Sequence, residues 1–289
     1  MKLRQGQVHM FLSKILGLFN FAYNVIEQKI LKNNYQSNYI LPPVFFIVGP
    51  PRSGTTVSFQ LISKYFHTYF PDNLAALFPR HPAFGFSLSR YLYKNRGHNS
   101  YSSEHGYSLS DLHGPNEYEL FFKGFLSNNR RLSHLAKKIT SIQSIMKDKP
   151  IVFKSLNCSL HISEISTVLP NSVFIFIDRN NIDIERSIEK AKRREKFPEE
   201  EVWYVVPDGM ERLNFESEKE QIKRQVFEIK KSISNSLEAL PDERKIKISY
   251  ESLIESPACV LKTLENKFIE LKMKKELSSP ISKNKFLSF

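Results

Sequence analysis

The residues with the clearest chemical potential form the short polar stretch GPPRSGTT, residues 49–56. Its glycines, Gly49 and Gly54, have the spacing of the two glycines in a phosphate-binding loop. The apolar run before the loop predicts a buried strand, and the helical spacing after it predicts a helix. The backbone N–H groups of residues 53–56 would then lack partners at a helix N-terminus, where the helix dipole favours negative charge. The stretch is therefore predicted to bind a phosphate group.

Thr55 occupies the position at which many phosphate-binding loops have a lysine. In nucleoside-triphosphate enzymes that lysine holds the outer phosphates, and a magnesium ion shares the charge. Its absence favours a phosphate-bearing cosubstrate with less charge to neutralise, and Arg52 can supply the cation instead. A metal-dependent kinase with a phosphate-binding loop remains the alternative enzyme, and an ordinary Gly/Pro turn before a helix is the alternative without chemistry.

A second anion-binding pair is predicted at Arg179 and Ser187. Arg179 follows VFIFID, residues 173–178, which is a predicted strand, and open α/β sheets bind ligands at the carboxyl ends of their strands. Ser187 comes eight residues later on the next predicted helix. A guanidinium fork and a hydroxyl together suit one terminal phosphate. The alternative is a strand-end arginine that forms an ordinary salt bridge with Asp178 or Asp183.

The two stretches together resemble the sulfotransferase family, whose members transfer a sulfuryl group from 3′-phosphoadenosine-5′-phosphosulfate. Residues 50–56, PPRSGTT, resemble the loop that binds the 5′-phosphosulfate, and Arg179 with Ser187 resembles the 3′-phosphate site. The pattern departs from the family after Arg179, where two asparagines replace an acidic or polar residue and proline. The segments PNEYELFFKG, IVFKS, VWYVVP and ISYESLIESP extend the similarity, in the family's order, over residues 44–257.

This resemblance implies roles for individual residues. Lys154 and Arg52 would contact the transferring group, and no metal would be required. The acceptor would be a glycan or a lipid, because the chain looks most like the bacterial enzymes that act on such acceptors. The implied donor-binding residues are Arg52, Ser53, Gly54, Thr55, Thr56, Arg179 and Ser187.

Several residues are candidates for the catalytic base. Lys154 matches a strand lysine of the phenol and steroid sulfotransferases, but Leu156 stands where those enzymes have their basic histidine. Glu117 and Glu119 lie where a polar loop meets a predicted helix, and carboxylate bases serve several glycan and tyrosyl sulfotransferases. Glu117 is the first choice, with helix capping or a salt bridge as its alternative role. Weaker candidates for the base are three histidines in turn-rich segments, His81, His105 and His113.

The elements that must position these residues alternate as strand and helix. This alternation predicts one α/β domain of phosphate-loop type, with a parallel sheet and helices on both of its faces. The domain is assigned to residues 41–289. The long polar segment 94–116 is predicted to be a functional loop at the acceptor site. Strands are expected at 44–48, 151–156, 173–178 and 245–250, and helices at 159–169, 182–196 and 218–240.

Length, composition and net charge limit the size of the core and the kinds of partner that the chain can bind. A chain of 289 residues with 41% hydrophobic residues can bury one large core. Its net charge of +12 suits a polyanionic cosubstrate, an acidic acceptor or an anionic membrane. Nucleic acid is not expected as a partner, because the basic residues are dispersed and no nucleic-acid-binding motif is evident. Cys158 and Cys259 form neither a disulfide framework nor a metal site, which favours the reducing cytoplasm.

Residues 1–40 are predicted to be a separate helical segment. Lys14 and Asn20 interrupt its apolar stretch, so residues 8–31 match an amphipathic helix better than a signal peptide or a membrane span. The helix would pack on the core or on a second subunit, or it would contact the inner face of a membrane peripherally.

One alternative function for the whole protein is not enzymatic. The chain could be a catalytically silent protein that binds nucleotides or polyanions.

Overall fold

The computed structural model describes residues 5–34, 42–66, 68–94, 96–101, 103–104, 107–108, 111–126, 131–146 and 149–270. Its strands form a four-stranded parallel sheet and a separate two-stranded antiparallel pair. The strands are β1 (Val44–Val48), β2 (Ser103–Glu104), β3 (Tyr107–Ser108), β4 (Ile151–Lys154), β5 (Ser172–Asp178) and β6 (Lys245–Ser249). The order in the larger sheet is β4-β1-β5-β6.

The described helices precede, follow and connect these strands. They are α1 (Gln5–Leu16), α2 (Asn20–Asn34), α3 (Thr55–Tyr65), α4 (Pro82–Tyr93), α5 (Glu119–Leu126), α6 (Leu132–Ile145), α7 (Ile162–Val168), α8 (Asn181–Glu195), α9 (Glu218–Glu238), α10 (Tyr250–Glu255) and α11 (Pro257–Glu270). Short 3₁₀ turns cover Gly17–Phe19, Ala75–Leu77, Asn157–Leu160, Met210–Arg212 and Asp242–Arg244.

Strand β1 is buried on both faces, which explains its uninterrupted apolar sequence. On one face, the Phe46 ring stacks on Phe153 and Phe174, with centroid distances of 5.7 and 5.5 Å, beneath α4, α5, α6 and α9. On the other face, Phe45 and Ile47 pack against α3 and α11. The prediction of an α/β domain with helices on both faces of a parallel sheet is therefore confirmed.

The register of the sheet gathers the strand ends that carry polar residues. Ile47 of β1 is the partner of Lys154 in β4, and Asp178 of β5 is the partner of Ser249 in β6. Because all four strands are parallel, the segments that follow them emerge at one edge of the sheet. The loop after β1 and Arg179 after β5 therefore share this edge with α10.

The N-terminal segment forms α1, one 3₁₀ turn and α2, and α2 packs on the core of the domain. Glu27 of α2 is 1% exposed and accepts a hydrogen bond of 2.8 Å from the backbone N–H of Ala83, at the start of α4. Its other carboxylate oxygen lies 3.1 Å from the Lys138 ammonium. Several apolar side chains of the segment, among them Phe11, Leu18 and Phe21, instead face solvent.

Two local predictions differ from the structure. The helix expected over 159–169 is a 3₁₀ turn, Asn157–Leu160, followed by the shorter α7. A carboxylate from α5, Glu119, accepts the N–H of Leu156 and the amide of Asn157, which holds this turn apart from α7. The polar segment 94–116 is also less irregular than expected, since it contains the β2–β3 pair.

Candidate active site

Two glycines allow the loop between β1 and α3 to pack tightly. Gly54 has φ of 95°, in the left-handed region, and a Cβ at this position would lie 2.2 Å from the Tyr250 ring. A Cβ on Gly49 would lie 2.5 Å from the Ser53 hydroxyl. Arg52 also has a positive φ, of 67°, which turns the backbone before Gly54. The glycine spacing read from the sequence therefore matches a backbone that has no room for side chains at these positions.

The start of α3 presents free backbone donors. Gly54 is the N-cap residue and offers no side-chain cap. Within the described residues, the N–H groups of Gly54, Thr55 and Thr56 have no hydrogen-bond acceptor. Ser53 differs from the prediction, because its N–H donates to the Pro50 carbonyl at 3.2 Å and closes the loop as a turn. Three of the four predicted donors thus remain for an anion, which the helix dipole also favours.

The two predicted phosphate sites are adjoining parts of one site. The Arg52 Nε donates to the Ser187 hydroxyl at 3.0 Å, across 135 positions of sequence. Arg179 Nη1 donates to the backbone carbonyl of Arg52 at 2.8 Å. The loop after β1 therefore contacts both residues of the second pair.

Arg179 does not form the salt bridge that was its alternative role. Asp178 pairs instead with Lys230 at 2.6 Å and with Lys247 at 2.9 Å. Partial burial opposes ionisation of this carboxyl, but the two ammonium groups lower the pKa of Asp178. The Arg179 guanidinium packs on the Tyr250 ring at 4.3 Å, and its buried Nε has no hydrogen-bond partner among the described residues. A charged donor at the edge of the sheet is thus left available.

Positive charge accumulates around the loop, where the Arg194 guanidinium lies 3.7 Å from the Glu195 carboxylate. Desolvation and the nearby guanidinium groups of Arg194 and Arg179 lower the pKa of Arg52. The Ser53 hydroxyl, buried beside this cluster, has no hydrogen-bond partner in the part of the chain that the structure describes. A cluster of guanidinium groups with unused donors is the expected environment for a bound anion.

Glu117 contacts the first turn of α3 and belongs to a buried ion pair. Its Oε2 contacts the Lys154 ammonium, and its Oε1 accepts a hydrogen bond of 2.9 Å from the Thr56 hydroxyl. Lys154 is 2% exposed and Glu117 is 7% exposed. The C-terminal residue of β4, the first turn of α3 and the carboxylate before α5 therefore converge next to the phosphate loop.

Glu119 has a different environment from Glu117. Its carboxylate accepts hydrogen bonds from the Ser155 hydroxyl, the Leu156 N–H and the Asn157 amide, at 2.9, 2.7 and 2.6 Å. Burial, and secondarily the charge of Glu117, raise the pKa of Glu119. Because its carboxylate accepts these three hydrogen bonds from residues 155–157, Glu119 acts as a cap for the turn after β4.

Comparison with known proteins gives the family of the chain. A family model described as the sulfotransferase family matches residues 43–273. The chain belongs to the sulfotransferase family. A sequence comparison with curated proteins finds no match.

Solved structures of other sulfotransferases have a similar fold. The sulfotransferase domain from the curacin biosynthetic pathway aligns with a TM-score of 0.50 and 17% identity, over 79% of this chain and 74% of that one. Sulfotransferase STF9 from Mycobacterium avium aligns with a TM-score of 0.52 and 13% identity, over 86% of this chain and 67% of that one. At these identities the likeness concerns the fold.

Two of the histidines considered from sequence, His81 and His113, lie outside the cluster of Glu117 and Lys154. His81 of this sulfotransferase lies 3.2 Å from the Asn20 side chain and 3.5 Å from Glu27, and burial lowers its pKa. His113 contacts Asp72 at 2.8 Å and stacks on Tyr93. The third candidate, His105, lies outside the described residues.

Two residues of the sulfotransferase site were not singled out from sequence. Tyr250 contacts both Gly54 and Arg179, and the Ser159 hydroxyl accepts from the Gly49 N–H at 3.0 Å and donates to its carbonyl at 3.1 Å. The segment around Tyr250 carried part of the family resemblance and was the available signal. Ser159 had none, because it stands in a stretch with ordinary helical spacing.

Proposed function

We propose that this protein transfers a sulfuryl group from 3′-phosphoadenosine-5′-phosphosulfate to a hydroxyl of an acceptor, which is a glycan or a glycolipid. The observation that carries the proposal is the direct contact between two phosphate-binding stretches, through Arg52 to Ser187 and Arg179 to Arg52. Family membership supports sulfuryl transfer as the reaction type. The donor, the acceptor and the residue roles given below are our proposals.

The donor carries phosphate at both its 5′ and 3′ positions, so it requires two neighbouring anion sites. We assign the 5′-phosphate to the start of α3, where the free N–H groups and the Ser53 hydroxyl match a phosphate in charge and hydrogen-bonding capacity. We assign the 3′-phosphate to Arg179 and Ser187. The unpaired Arg179 Nε supports this assignment, because a buried guanidinium N–H without an acceptor gains from an anionic ligand.

Arg52 is proposed to stabilise the leaving group. When bound, the donor supplies an activated sulfuryl group whose S–O bond to the 5′-phosphate breaks as the bond to the acceptor oxygen forms. Negative charge then grows on the phosphate oxygen. A guanidinium held by Ser187 beside the loop is placed to interact more strongly as that charge develops.

Glu117 is proposed as the base that takes the proton of the acceptor hydroxyl. Lys154 and Thr56 hold its carboxylate in one orientation, which reduces the reorganisation needed at the moment of transfer. Lys154 is proposed to contact the sulfuryl oxygens with its positive charge. The alternative role of Glu117, a purely structural ion pair with Lys154, predicts that Glu117→Gln changes stability and leaves the chemistry of transfer intact.

The proposal also divides the chain into a catalytic domain and an N-terminal segment. Residues 41–289 would form the catalytic domain, and residues 1–40 an attached helical segment. The outward apolar side chains of α1 and α2, together with the net positive charge, support peripheral contact of residues 8–31 with an anionic membrane. None of the helices in the described parts of the chain is long and apolar enough to cross a membrane. A cytoplasmic location remains a prediction from cysteine usage.

The deciding experiment is calorimetric titration with 3′,5′-adenosine bisphosphate, compared with ATP and magnesium. The bisphosphate should bind in the presence of a chelator, since no metal is part of the proposal. Arg179→Ala should weaken it by roughly thirty- to a hundred-fold, because a charge-assisted contact of about 2–3 kcal/mol is lost. Arg224→Ala on α9, half-exposed and paired with Glu228, is the matched control and should change nothing.

Three outcomes contradict parts of the proposal. Unchanged bisphosphate binding by Arg179→Ala would remove this residue from the 3′-phosphate site. Binding that requires magnesium and prefers ATP would favour a kinase. Bisphosphate binding without sulfation of any hydroxylated glycan or lipid tested with labelled donor would favour a catalytically silent binding protein.

A further inference from the structure

A cavity of about 860 Å³ opens between the N-terminal helices and α5. Its volume lies in the range of small-molecule sites, roughly 300–1,000 Å³. The 3₁₀ turn after α1, the segment before α4, and the helices α5 and α6 form its walls. None of the residues assigned to the donor lines it.

The walls of this cavity are mostly apolar. From α5, the side chains of Leu120, Phe121 and Phe125 line one wall, and from the N-terminal segment Leu18 and Tyr23 line the opposite one. Apolar walls of this extent bind the hydrocarbon part of a ligand, because the ligand and the cavity both lose contact with water.

The rim of the same cavity is cationic. Lys14, Arg80, Arg131 and Lys138 contribute positive charge, and no acidic side chain is among the described residues that line the cavity. Lys138 is paired with the buried Glu27, whose carboxylate lies behind the wall. Lys14 and Arg80 are exposed and have no carboxylate partner among the described residues. Apolar walls with such a rim match a molecule that has a hydrocarbon chain and an anionic head group.

The cavity adjoins the proposed base through α5. Glu117 stands two residues before this helix, and the cavity-lining face of the helix begins at Leu120. A molecule held along α5 would thus extend toward the carboxylate that is paired with Lys154.

We propose that the cavity binds an anionic amphiphile, an apolar chain with a phosphate-type or carboxylate-type head group, and that the acceptor hydroxyl belongs to a molecule of this class. The inference rests on the proposed function and narrows its acceptor from glycans or lipids in general to an anionic lipid-linked compound. The ligand class is inferred from the apolar walls and cationic rim of the cavity, and none of the proposed donor-binding residues enters that inference.

The test uses dodecyl phosphate as the probe, below its micellar concentration, in titrations of the full chain. Butyl phosphate has the same head group without the long chain, and dodecyl maltoside has the chain without the charge. Dodecyl phosphate should bind saturably and at least ten-fold more tightly than either. The double variant Arg80→Gln/Arg131→Gln should weaken it by roughly five- to twenty-fold, since each rim cation contributes a modest, partly screened attraction.

The matched control removes the same charge elsewhere. Lys219→Gln/Lys223→Gln lies on the exposed surface of α9, outside the cavity, and should leave dodecyl phosphate binding unchanged. Equal binding of dodecyl maltoside, absence of saturable binding, or equal losses in the two double variants would each overturn the inference. Titration of the same samples with 3′,5′-adenosine bisphosphate keeps the two proposals apart. If the bisphosphate binds and the alkyl phosphate does not, the cavity assignment fails while the donor site stands. The reverse result leaves the cavity assignment intact and removes the proposed function.

Discussion

Replacing Glu117 by glutamine separates catalysis from structure at this site. Lys154 is 2% exposed and contacts the Glu117 carboxylate, so the substitution leaves a buried ammonium without its counter-charge. Removing one partner of a buried ion pair costs about 3–5 kcal/mol. Glutamine keeps an amide oxygen that can accept from Lys154 and Thr56, which returns part of this cost. We therefore expect the free energy of unfolding of Glu117→Gln to fall by about 2 kcal/mol.

A second substitution tests whether this loss is electrostatic. Lys154→Met removes the buried charge and keeps an unbranched apolar side chain, and replacing both partners of a buried pair by neutral groups is often close to neutral. The double variant Glu117→Gln/Lys154→Met should therefore be more stable than either single variant. Urea unfolding of the four proteins measures the coupling directly.

Turnover should respond differently from stability. If Glu117 is the base, Glu117→Gln lowers kcat by roughly 10²–10⁴ while the affinity for 3′,5′-adenosine bisphosphate holds, and the double variant does not recover kcat. Recovery of kcat together with stability would show that Glu117 acts only through Lys154. If Glu117→Gln keeps its kcat and Glu119→Gln or His81→Ala loses it, another residue is the base.

Three further expectations follow from the same structure. Arg52→Ala should lower kcat by roughly 10²–10³ and change bisphosphate affinity less, because the charge it stabilises appears only during transfer; an equal loss of affinity, with kcat intact at saturation, would make Arg52 a binding residue. Gly54→Ala should destabilise the fold by more than the roughly 1–2 kcal/mol that a left-handed conformation costs a non-glycine residue, because the new Cβ would also meet the Tyr250 ring. Adding Tyr250→Ala should relieve the clash but not the cost of the left-handed backbone at position 54. Full recovery of the unfolding free energy in the double variant would contradict this account. His98 is buried, and desolvation lowers its pKa to about 4 from a usual 6.5. Its neutral form therefore contributes stability above pH 6.5 that is lost as the pH falls towards 4, about 2 kcal/mol by pH 5. Urea unfolding of His98→Gln should show a flatter dependence over this interval than the wild type, and parallel curves would refute the assignment.

Local sequence determined the parts of the site that depend on neighbouring residues. The strand, loop and helix around Gly49 and Gly54 follow from apolar spacing and from two positions at which a side chain does not fit. The alternation of strands and helices likewise predicted a parallel sheet with Arg179 at the carboxyl end of one strand, whereas the contact of Arg179 with the loop was found only in the structure. Recognition of the family rested on the same short stretches, and it is confirmed.

The tertiary structure decided which distant residues pair. Asp178 was a candidate partner of Arg179 in the sequence, yet Lys230 and Lys247 take it and leave the guanidinium available. Likewise, only the structure showed that Lys154 and Glu117 form a buried ion pair. Apolar periodicity shows which face of an element is buried, but it contains no information on the register between strands or on the rotation of one helix against another. Those two quantities set the distances between polar side chains at the sheet edge, and they emerge only when the whole core packs.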